Sequence, residues 1–244
     1  MKKNLWPGKF IVFEGLDGSG KSTQTKLLAE HLKREGFKVE SIDFPQYGTK
    51  STGLIENYLI GKYGTANKVS PYVASIFYAC DRYDASFQIK KWLEEGKFVI
   101  SDRYVASNIA YQGGKIKNKA ERKKFIKWLL NLEYKIFNIP RPDICFILKT
   151  SPELARKMAP CVTNTEKKKK RKAYLGKSNI RDLHERDIVH LRNALKTYLE
   201  IAKEFPQEYR VINCLKQGKF LPPERIHQKI WKIVTEEIID KPSL

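Results

Sequence analysis

The sequence predicts an α/β fold: a three-layer sandwich in which a five-stranded parallel sheet lies between two layers of helices. Two observations indicate this architecture. Five short apolar runs have the composition of strands that are buried on both faces of a parallel sheet. Segments with the apolar spacing of amphipathic helices separate these runs along the chain. No internal repeat or domain boundary interrupts the alternation, so we expect residues 1–244 to form a single domain.

The predicted elements follow from these runs in chain order. Pro45 ends the second run, Gly36 and Gly61 end helices, and Ser151 followed by Pro152 is typical of a helix start. The predicted strands are Phe10–Phe13, Lys38–Phe44, Lys97–Tyr104, Asp143–Thr150 and Tyr209–Cys214. The predicted helices are Thr23–Glu35, Leu54–Ile60, Pro71–Leu93, a segment from Ala106, Ala120–Phe137, a segment from Ser151, Asp182–Glu204 and Pro222–Ile239.

The composition is that of a strongly basic globular protein. The chain has 47 Lys and Arg against 27 Asp and Glu, which gives a formal net charge of +20. This excess is compatible with a nucleic-acid partner and equally with an anionic small substrate. No apolar run approaches the ~20 residues that span a bilayer, and residues 1–8 lack the apolar stretch of a signal peptide. We therefore expect a cytoplasmic protein without a membrane partner.

A phosphate-binding loop follows the first predicted strand. The segment 15–22 reads GLDGSGKS, fits G-x-x-x-x-G-K-S/T, and lies between a strand and a helix as a P-loop requires. Its glycines allow a tight turn whose N–H groups point at phosphate oxygens. Lys21 adds a positive charge for the β- and γ-phosphates, and the Ser22 hydroxyl suits Mg²⁺. The alternative is a chance glycine-rich turn. The predicted ligands of the ATP phosphates are Gly15, Gly18, Ser19, Gly20, Lys21, Ser22 and Thr23.

Polar residues also follow other predicted strands, at the edge where ligands bind in sheets of this type. Asp17 and Lys21 belong to the P-loop, and the next three strands end in Phe44-Pro45, Asp102-Arg103-Tyr104 and Lys149-Thr150. An acid and a base are therefore expected near one phosphate site. From the residues alone, the sequence predicts a P-loop phosphotransferase.

Six segments together resemble the thymidylate kinases of the nucleoside monophosphate kinase superfamily, over nearly the whole chain. They are FEGLDGSGKST at 13–23, FPQYGTKSTG at 44–53, FYACDR at 77–82, DRYVASNIAYQGG at 102–114, DLHE at 182–185 and VINC at 211–214. The resemblance implies a kinase that uses ATP and Mg²⁺ to convert dTMP to dTDP. It also implies a homodimer packed through helices of the first half, with no specific nucleic-acid partner.

The resemblance further implies which residues bind the acceptor dTMP. Tyr78 matches the aromatic residue that stacks on thymine, and Arg82, one helical turn later, matches the arginine that hydrogen-bonds the base. The alternative for this pair is a core tyrosine and a surface arginine. Asp17 matches the carboxylate that contacts the sugar 3′-hydroxyl, with a loop-solvating aspartate as the alternative. The full predicted set is Asp17, Phe44, Tyr47, Lys50, Tyr78, Arg82, Arg103, Ser107, Tyr111 and Gln112.

By the same resemblance, residues at the end of the third strand act on the transferring phosphoryl group. Arg103 matches the arginine that bridges the acceptor and donor phosphates, and Asp102 matches the acid that organises Mg²⁺ with Ser22. A local ion pair between Asp102 and Arg103 is the alternative. The predicted catalytic residues are Lys21, Asp102, Arg103 and Arg171.

Arg171 belongs to a basic segment at about 160–182 that resembles the lid that closes over ATP. Some thymidylate kinases carry a catalytic arginine in the P-loop, where this chain has Gly18 and Ser19. We therefore expect the lid to supply this cation. The candidates are Arg171, Lys172, Lys177 and Arg181.

One departure from the family concerns the acceptor phosphate. The family usually has F-P-x-R, whose arginine grips the 5′-phosphate, whereas this chain has Tyr47 at that position. Lys50, three residues later, is predicted to replace it, and the alternative is a solvated loop lysine. Tyr47 also leaves open a kinase for another deoxynucleotide or deoxynucleoside. Outside enzymes, the net charge leaves open a basic nucleic-acid-binding P-loop protein.

Overall fold

The computed structural model describes residues 6–65, 68–159 and 187–240. The main-sheet strands are β1 (Lys9–Glu14), β2 (Val39–Asp43), β3 (Phe98–Asp102), β4 (Ile144–Lys149) and β5 (Tyr209–Asn213). They form one sheet in the order β2-β3-β1-β4-β5, and all four pairings are parallel. The predicted α/β fold with its five parallel strands is therefore confirmed.

Helices cover both faces of this sheet. They are α1 (Lys21–Arg34), α2 (Gly53–Leu59), α3 (Pro71–Glu94), α4 (Val105–Gly113), α5 (Lys119–Asn131), α6 (Pro152–Met158), α7 (Ile188–Glu204) and α8 (Pro223–Val234). On β1, Phe10 and Val12 join the core under α3, α4, α5 and α7, whereas Ile11 and Phe13 join the core under α1 and α8. Successive strand side chains point to opposite faces, so this continuous apolar run is buried on both.

A smaller core cluster lies where α2 packs on the first turns of α3. Its buried members include Tyr47, Ile55, Tyr58 and Leu59, and Tyr78 packs against them. Within the described ranges, no helix combines the length and the apolar character needed to cross a membrane.

The structure differs from the predicted elements at a short hairpin and at the end of α5. A short hairpin was missed, because its strands β6 (Leu215–Lys216) and β7 (Lys219–Phe220) are only two residues each. The predicted helix Ala120–Phe137 is α5 followed by a π-helical turn over Leu132–Ile136. The predicted start of α7 at Asp182 lies outside the described residues.

Candidate active site

The P-loop between β1 and α1 leaves its phosphate-facing groups open. Gly20, at a φ of 92°, is the N-cap of α1, and no side chain of the described residues caps this end. The first N–H groups of a helix lack intrahelical partners, so they are available to an anion. The Ser19 hydroxyl is buried and has no hydrogen-bond partner in the part of the chain described. These groups fit the phosphates of ATP.

Lys21 is folded back against the P-loop. Its side chain is only 5% exposed, and its Nζ lies 3.9 Å from Asp17 Oδ1. The same Nζ donates a hydrogen bond of 2.9 Å to the Leu16 carbonyl oxygen. Two oxygen atoms of the P-loop region therefore hold the ammonium group within the loop.

Gly18 is in direct contact with the backbone of α6. A Cβ atom built at Gly18 would lie 2.3 Å from the Ala155 carbonyl oxygen and 2.7 Å from Ala159 N, and the residue has a φ of 82°. The contact excludes a side chain at this position without movement of α6, and the positive φ adds backbone strain. The P-loop arginine of some thymidylate kinases therefore has no room here.

A second pocket, of about 900 Å³ of empty volume, lies beside the first turns of α1. Ser22 and Asp102, the two predicted Mg²⁺ residues, both line it, together with Thr25 and Asp43. Asp43 is the register partner of Asp102 on the neighbouring strand, and the sequence analysis did not single it out. Hydroxyl and carboxylate oxygens are the ligands that Mg²⁺ prefers. No cluster of three or more His, Cys, Asp or Glu side chains that could hold a metal occurs in the described ranges.

Another pocket, of about 530 Å³ of empty volume, adjoins the P-loop through Asp17. Nine of the ten predicted dTMP residues line it. They are Asp17, Phe44, Tyr47, Tyr78, Arg82, Arg103, Ser107, Tyr111 and Gln112. Four further lining residues are outside the predicted dTMP set, and these are Pro45, Leu59, Tyr104 and Asn108. We call this cavity the acceptor pocket.

Arg103 joins the P-loop to the acceptor pocket. Its Nη2 donates to Asp17 Oδ1 at 2.7 Å, and its Nη1 donates to Ser107 Oγ at 2.8 Å and to the Gly15 carbonyl oxygen at 3.2 Å. Burial acts to lower the pKa of Arg103, but the Asp17 carboxylate together with Tyr111, Tyr198 and Asp102 outweighs it, so the pKa is raised and the charge is retained. The predicted alternative, an ion pair confined to Asp102 and Arg103, does not describe these contacts.

Glu14, which the sequence analysis did not single out, anchors the start of α4 beside Arg103. Its fully buried carboxylate accepts hydrogen bonds from the backbone N–H groups of Tyr104 and Ser107, at 2.8 and 3.0 Å. It also accepts from Ser107 Oγ at 2.6 Å and from the Tyr198 hydroxyl at 2.9 Å. Burial raises the pKa of Glu14, while these bonds act in the opposite direction.

Arg82 lines the acceptor pocket but is already engaged by a carboxylate. Its Nε and Nη2 donate to the two carboxylate oxygens of Glu133, both at 2.6 Å. Arg82 is 2% exposed and Glu133 is 0% exposed, so the surface arginine considered as an alternative is wrong. Glu133 was missed because a glutamate in an amphipathic helical segment normally faces solvent.

Tyr78, on the aromatic side of the acceptor pocket, packs against a second buried tyrosine. The Tyr78 ring packs edge-on against the fully buried Tyr58 ring, with centroids 6.4 Å apart. Lys115 Nζ donates to the Tyr58 hydroxyl at 2.6 Å, and burial lowers the pKa of Lys115 to about 8.

Gln112, from α4, is 1% exposed, and its buried Oε1 has no hydrogen-bond partner among the described residues. A buried amide oxygen of this kind suits a donor on a ligand.

Lys50 is the predicted dTMP residue that does not line the acceptor pocket. It is exposed at the start of a short 3₁₀ helix, Lys50–Thr52, whereas Tyr47 is buried and lines the pocket. The predicted lid cations, Arg171, Lys172, Lys177 and Arg181, lie outside the described residues.

His190, near Tyr111 and Lys115, predicts a pH-dependent stability. Burial first, and then the charge of Lys115, lowers the pKa of His190 from its ordinary 6.5 to about 4. Between these values the unfolded chain takes up a proton that the folded chain does not. The stability is therefore intact above pH 6.5 and falls by up to about 3 kcal/mol as the pH approaches 4. His190→Gln removes this contribution.

The measurement is chemical unfolding of both proteins at pH 7 and pH 4.5. We expect the wild type to lose more unfolding free energy than His190→Gln over this interval. All other titrating groups are shared, so equal losses in the two proteins would contradict a buried neutral histidine.

Comparison with known proteins assigns the family. The sequence profile of the family described as "Thymidylate kinase" matches residues 13–219 of this chain. The chain belongs to the thymidylate kinase family. A thymidylate kinase from Plasmodium falciparum is 36% identical over 150 residues, which are 61% of this chain and 65% of that protein. A probable thymidylate kinase from Thermococcus kodakarensis is 33% identical and covers 92% of this chain and 96% of its own length.

A solved structure of the family supports the same conclusion. The thymidylate kinase from Candida albicans, which is described as having broad substrate specificity, has a TM-score of 0.68 and 27% identity. The similarity covers 94% of this chain and 92% of the Candida chain. The fold and the family resemblance expected from the sequence are confirmed.

Proposed function

We propose that this protein is a thymidylate kinase that transfers the γ-phosphoryl group of ATP to dTMP and releases dTDP. The observation that carries the proposal is the composition of the acceptor pocket. Asp17 of the P-loop and Arg103 line it together with the aromatic Tyr78 and the amide of Gln112. A sugar hydroxyl, a phosphate and a base thus each have a suitable partner in one cavity next to the P-loop.

The residues of this site provide position and charge rather than a covalent intermediate. P-loop N–H groups and Lys21 would hold the phosphates of ATP, and Arg103 would link them to the acceptor phosphate. Ser22 and Asp102, with Asp43 nearby, would hold Mg²⁺, which neutralises phosphate charge when bound. A lid cation, with Arg171 as a candidate, would complete the charge neutralisation.

A coupled kinase assay over a panel of acceptors tests the proposed function. The panel contains dTMP, dUMP, dCMP, dGMP, thymidine and dTDP, with ATP and Mg²⁺ in excess. We expect dTMP to have the highest kcat/KM. A higher kcat/KM for a deoxynucleoside or for another monophosphate would show that dTMP is not the preferred acceptor. No phosphoryl transfer, together with nucleic-acid binding that resists physiological salt, would support a nucleic-acid-binding function instead.

Tyr78→Ala should raise KM for dTMP while KM for ATP stays nearly unchanged. Stacking on an aromatic ring is worth about 1–3 kcal/mol per base, which corresponds to roughly a 5- to 150-fold change in affinity. Tyr78→Phe keeps the ring and serves as the matched control. Steady-state kinetics with each substrate varied gives both constants, and an equal rise in the two would show a structural role for Tyr78.

Lys50 stays a prediction as the cation that replaces the family's F-P-x-R arginine. In the described structure it is exposed outside the acceptor pocket, so its ammonium would have to move to reach a bound phosphate. Arg82 and Arg103 already line that pocket. If Lys50 binds the acceptor phosphate, Lys50→Ala should raise KM for dTMP. If Arg82 and Arg103 hold the phosphate without Lys50, KM for dTMP should not change.

We also propose a homodimer through α3. Four apolar side chains on this helix, Val73, Ile76, Tyr83 and Phe87, are 41–60% exposed. With Cys80, which is also exposed, they recur at intervals of three and four residues, the spacing of a helix–helix seam. A second copy of the same helix offers a matching stripe. Sedimentation should give a dimer for the wild type and a monomer for Ile76→Glu/Phe87→Glu.

A cytoplasmic location is also proposed. Cys80, Cys145 and Cys214 are free thiols, a state that reducing compartments maintain. Cell fractionation with an antibody against the protein tests this proposal.

A further inference from the structure

We propose that Glu133 is a positioning residue for acceptor recognition: it fixes the Arg82 guanidinium and the Asn108 amide in the wall of the acceptor pocket. This inference rests on the proposed function, because it assigns to Glu133 the orientation of groups that would contact the nucleobase. Nothing in the sequence motifs includes Glu133.

The contact between Glu133 and Arg82 leaves little freedom to the guanidinium. Two parallel hydrogen bonds of 2.6 Å join Nε and Nη2 of Arg82 to the two carboxylate oxygens. Such a bidentate pair fixes the plane of the guanidinium as well as its distance. Both side chains are almost completely buried, so water does not compete for these bonds. Arg82 therefore presents one orientation to the acceptor pocket.

The same carboxylate also determines the orientation of Asn108. Asn108 Nδ2 lies 3.4 Å from Glu133 Oε1 and donates to the Ser75 carbonyl oxygen at 3.1 Å. A carboxylate and a carbonyl only accept hydrogen bonds, so the NH₂ end of the amide must face them. The Oδ1 end is consequently turned away, and this buried atom has no hydrogen-bond partner in the described ranges. Asn108 lines the acceptor pocket, so Glu133 and the Ser75 carbonyl together fix the orientation of its amide in the pocket wall.

The backbone at Glu133 has an unusual conformation, which allows its side chain to contact both α3 and α4. The segment Leu132–Ile136 is a π-helical turn at the end of α5, with Phe137 N bonded to the Leu132 carbonyl oxygen at 2.8 Å. An extra residue in the turn changes the direction of the side chains relative to a regular α-helix. Glu133 is buried in spite of the amphipathic character of the segment, and it contacts α3 and α4 at once.

A structural role and a positioning role of Glu133 lead to different expected values of KM for dTMP. Buried ion pairs can be replaced by apolar residues of similar size with little loss of stability, whereas the loss of one partner is strongly destabilising. Arg82→Met/Glu133→Leu should therefore fold, and its KM for dTMP shows whether Arg82 contacts the base at all. Glu133→Gln retains Arg82 and loses only the carboxylate, so its KM for dTMP shows whether Glu133 positions Arg82.

The experiment compares Glu133→Gln, Glu133→Asp and Arg82→Met/Glu133→Leu with the wild type in thermal unfolding and in kinetics with dTMP and ATP. We expect the double variant to remain folded with a KM for dTMP at least tenfold higher. Glu133→Gln, which retains Arg82 but loses the carboxylate, should show at least a fivefold rise. In both variants KM for ATP should stay within twofold of the wild type.

Three results would overturn the proposal. One is a Glu133→Gln enzyme whose KM for dTMP is within twofold of the wild type. Another is a double variant with wild-type KM for dTMP, which would also remove Arg82 from base recognition while the dTMP kinase activity itself stands. Glu133→Asp, whose carboxylate lies one methylene further from Arg82, replaces Glu133→Gln if that variant does not fold. The third result is a KM for dTMP that is unchanged in Glu133→Asp. Failure of the proposed function would appear separately, as a wild-type protein that does not phosphorylate dTMP.

Discussion

Lys21→Ala is expected to lower kcat by a hundredfold or more. The Lys21 ammonium is buried in the P-loop, 2.9 Å from the Leu16 carbonyl oxygen and 3.9 Å from Asp17. A cation in such a low-dielectric site stabilises developing phosphate charge much more than it would in water. The expected loss corresponds to about 3 kcal/mol of transition-state stabilisation.

The control for this variant is Lys38→Ala, an exposed lysine that lies outside both pockets. Its kcat should stay within twofold of the wild type, which excludes a general effect of net charge. Thermal unfolding of both variants checks that the fold is retained. A kcat for Lys21→Ala within about threefold of the wild type would show that Lys21 does not serve the transferring group.

The sequence was sufficient for the sheet because buried parallel strands are continuous apolar runs, as in Phe10–Phe13 within β1. It was also sufficient for most of the acceptor pocket, because those residues lie in contiguous motifs such as Asp102 to Gln112. The hairpin of β6 and β7 was not predictable in this way, since two-residue strands have no measurable periodicity.

Some site residues can be recognised only from their neighbours in three dimensions. Glu133 and Asn108 are ordinary polar residues in helical segments, and only tertiary packing brings them to Arg82 and to the acceptor pocket. Asp43 became visible only through its register with Asp102 on the adjacent strand. Lys50 shows the converse, because closeness to Tyr47 along the chain does not determine which way a side chain points. Three-dimensional neighbours therefore carry information that spacing along the chain does not.

Gly18→Ala is expected to be the most disruptive of the small substitutions in the P-loop. The new Cβ would lie 2.3 Å from the Ala155 carbonyl oxygen and 2.7 Å from Ala159 N, which are backbone atoms that cannot rotate away. The φ of 82° adds about 1–2 kcal/mol of strain for any residue with a side chain. Either α6 moves or the P-loop does, and both outcomes disturb the phosphate site. We expect kcat/KM for ATP to fall at least tenfold.

Gly36→Ala is the matched control, because it has a φ of 86° but no atom within 4 Å of the new Cβ. It should show the backbone strain alone, a decrease in Tm of about 2–4 °C for a cost of about 1 kcal/mol in a chain of this size. Gly18→Ala should lower Tm by at least twice as much. Gly18→Arg tests the same contact more severely, since it installs the arginine that some thymidylate kinases carry. If Gly18→Arg folds and is active, α6 is displaced at little cost, and the lid is not the necessary source of the catalytic cation.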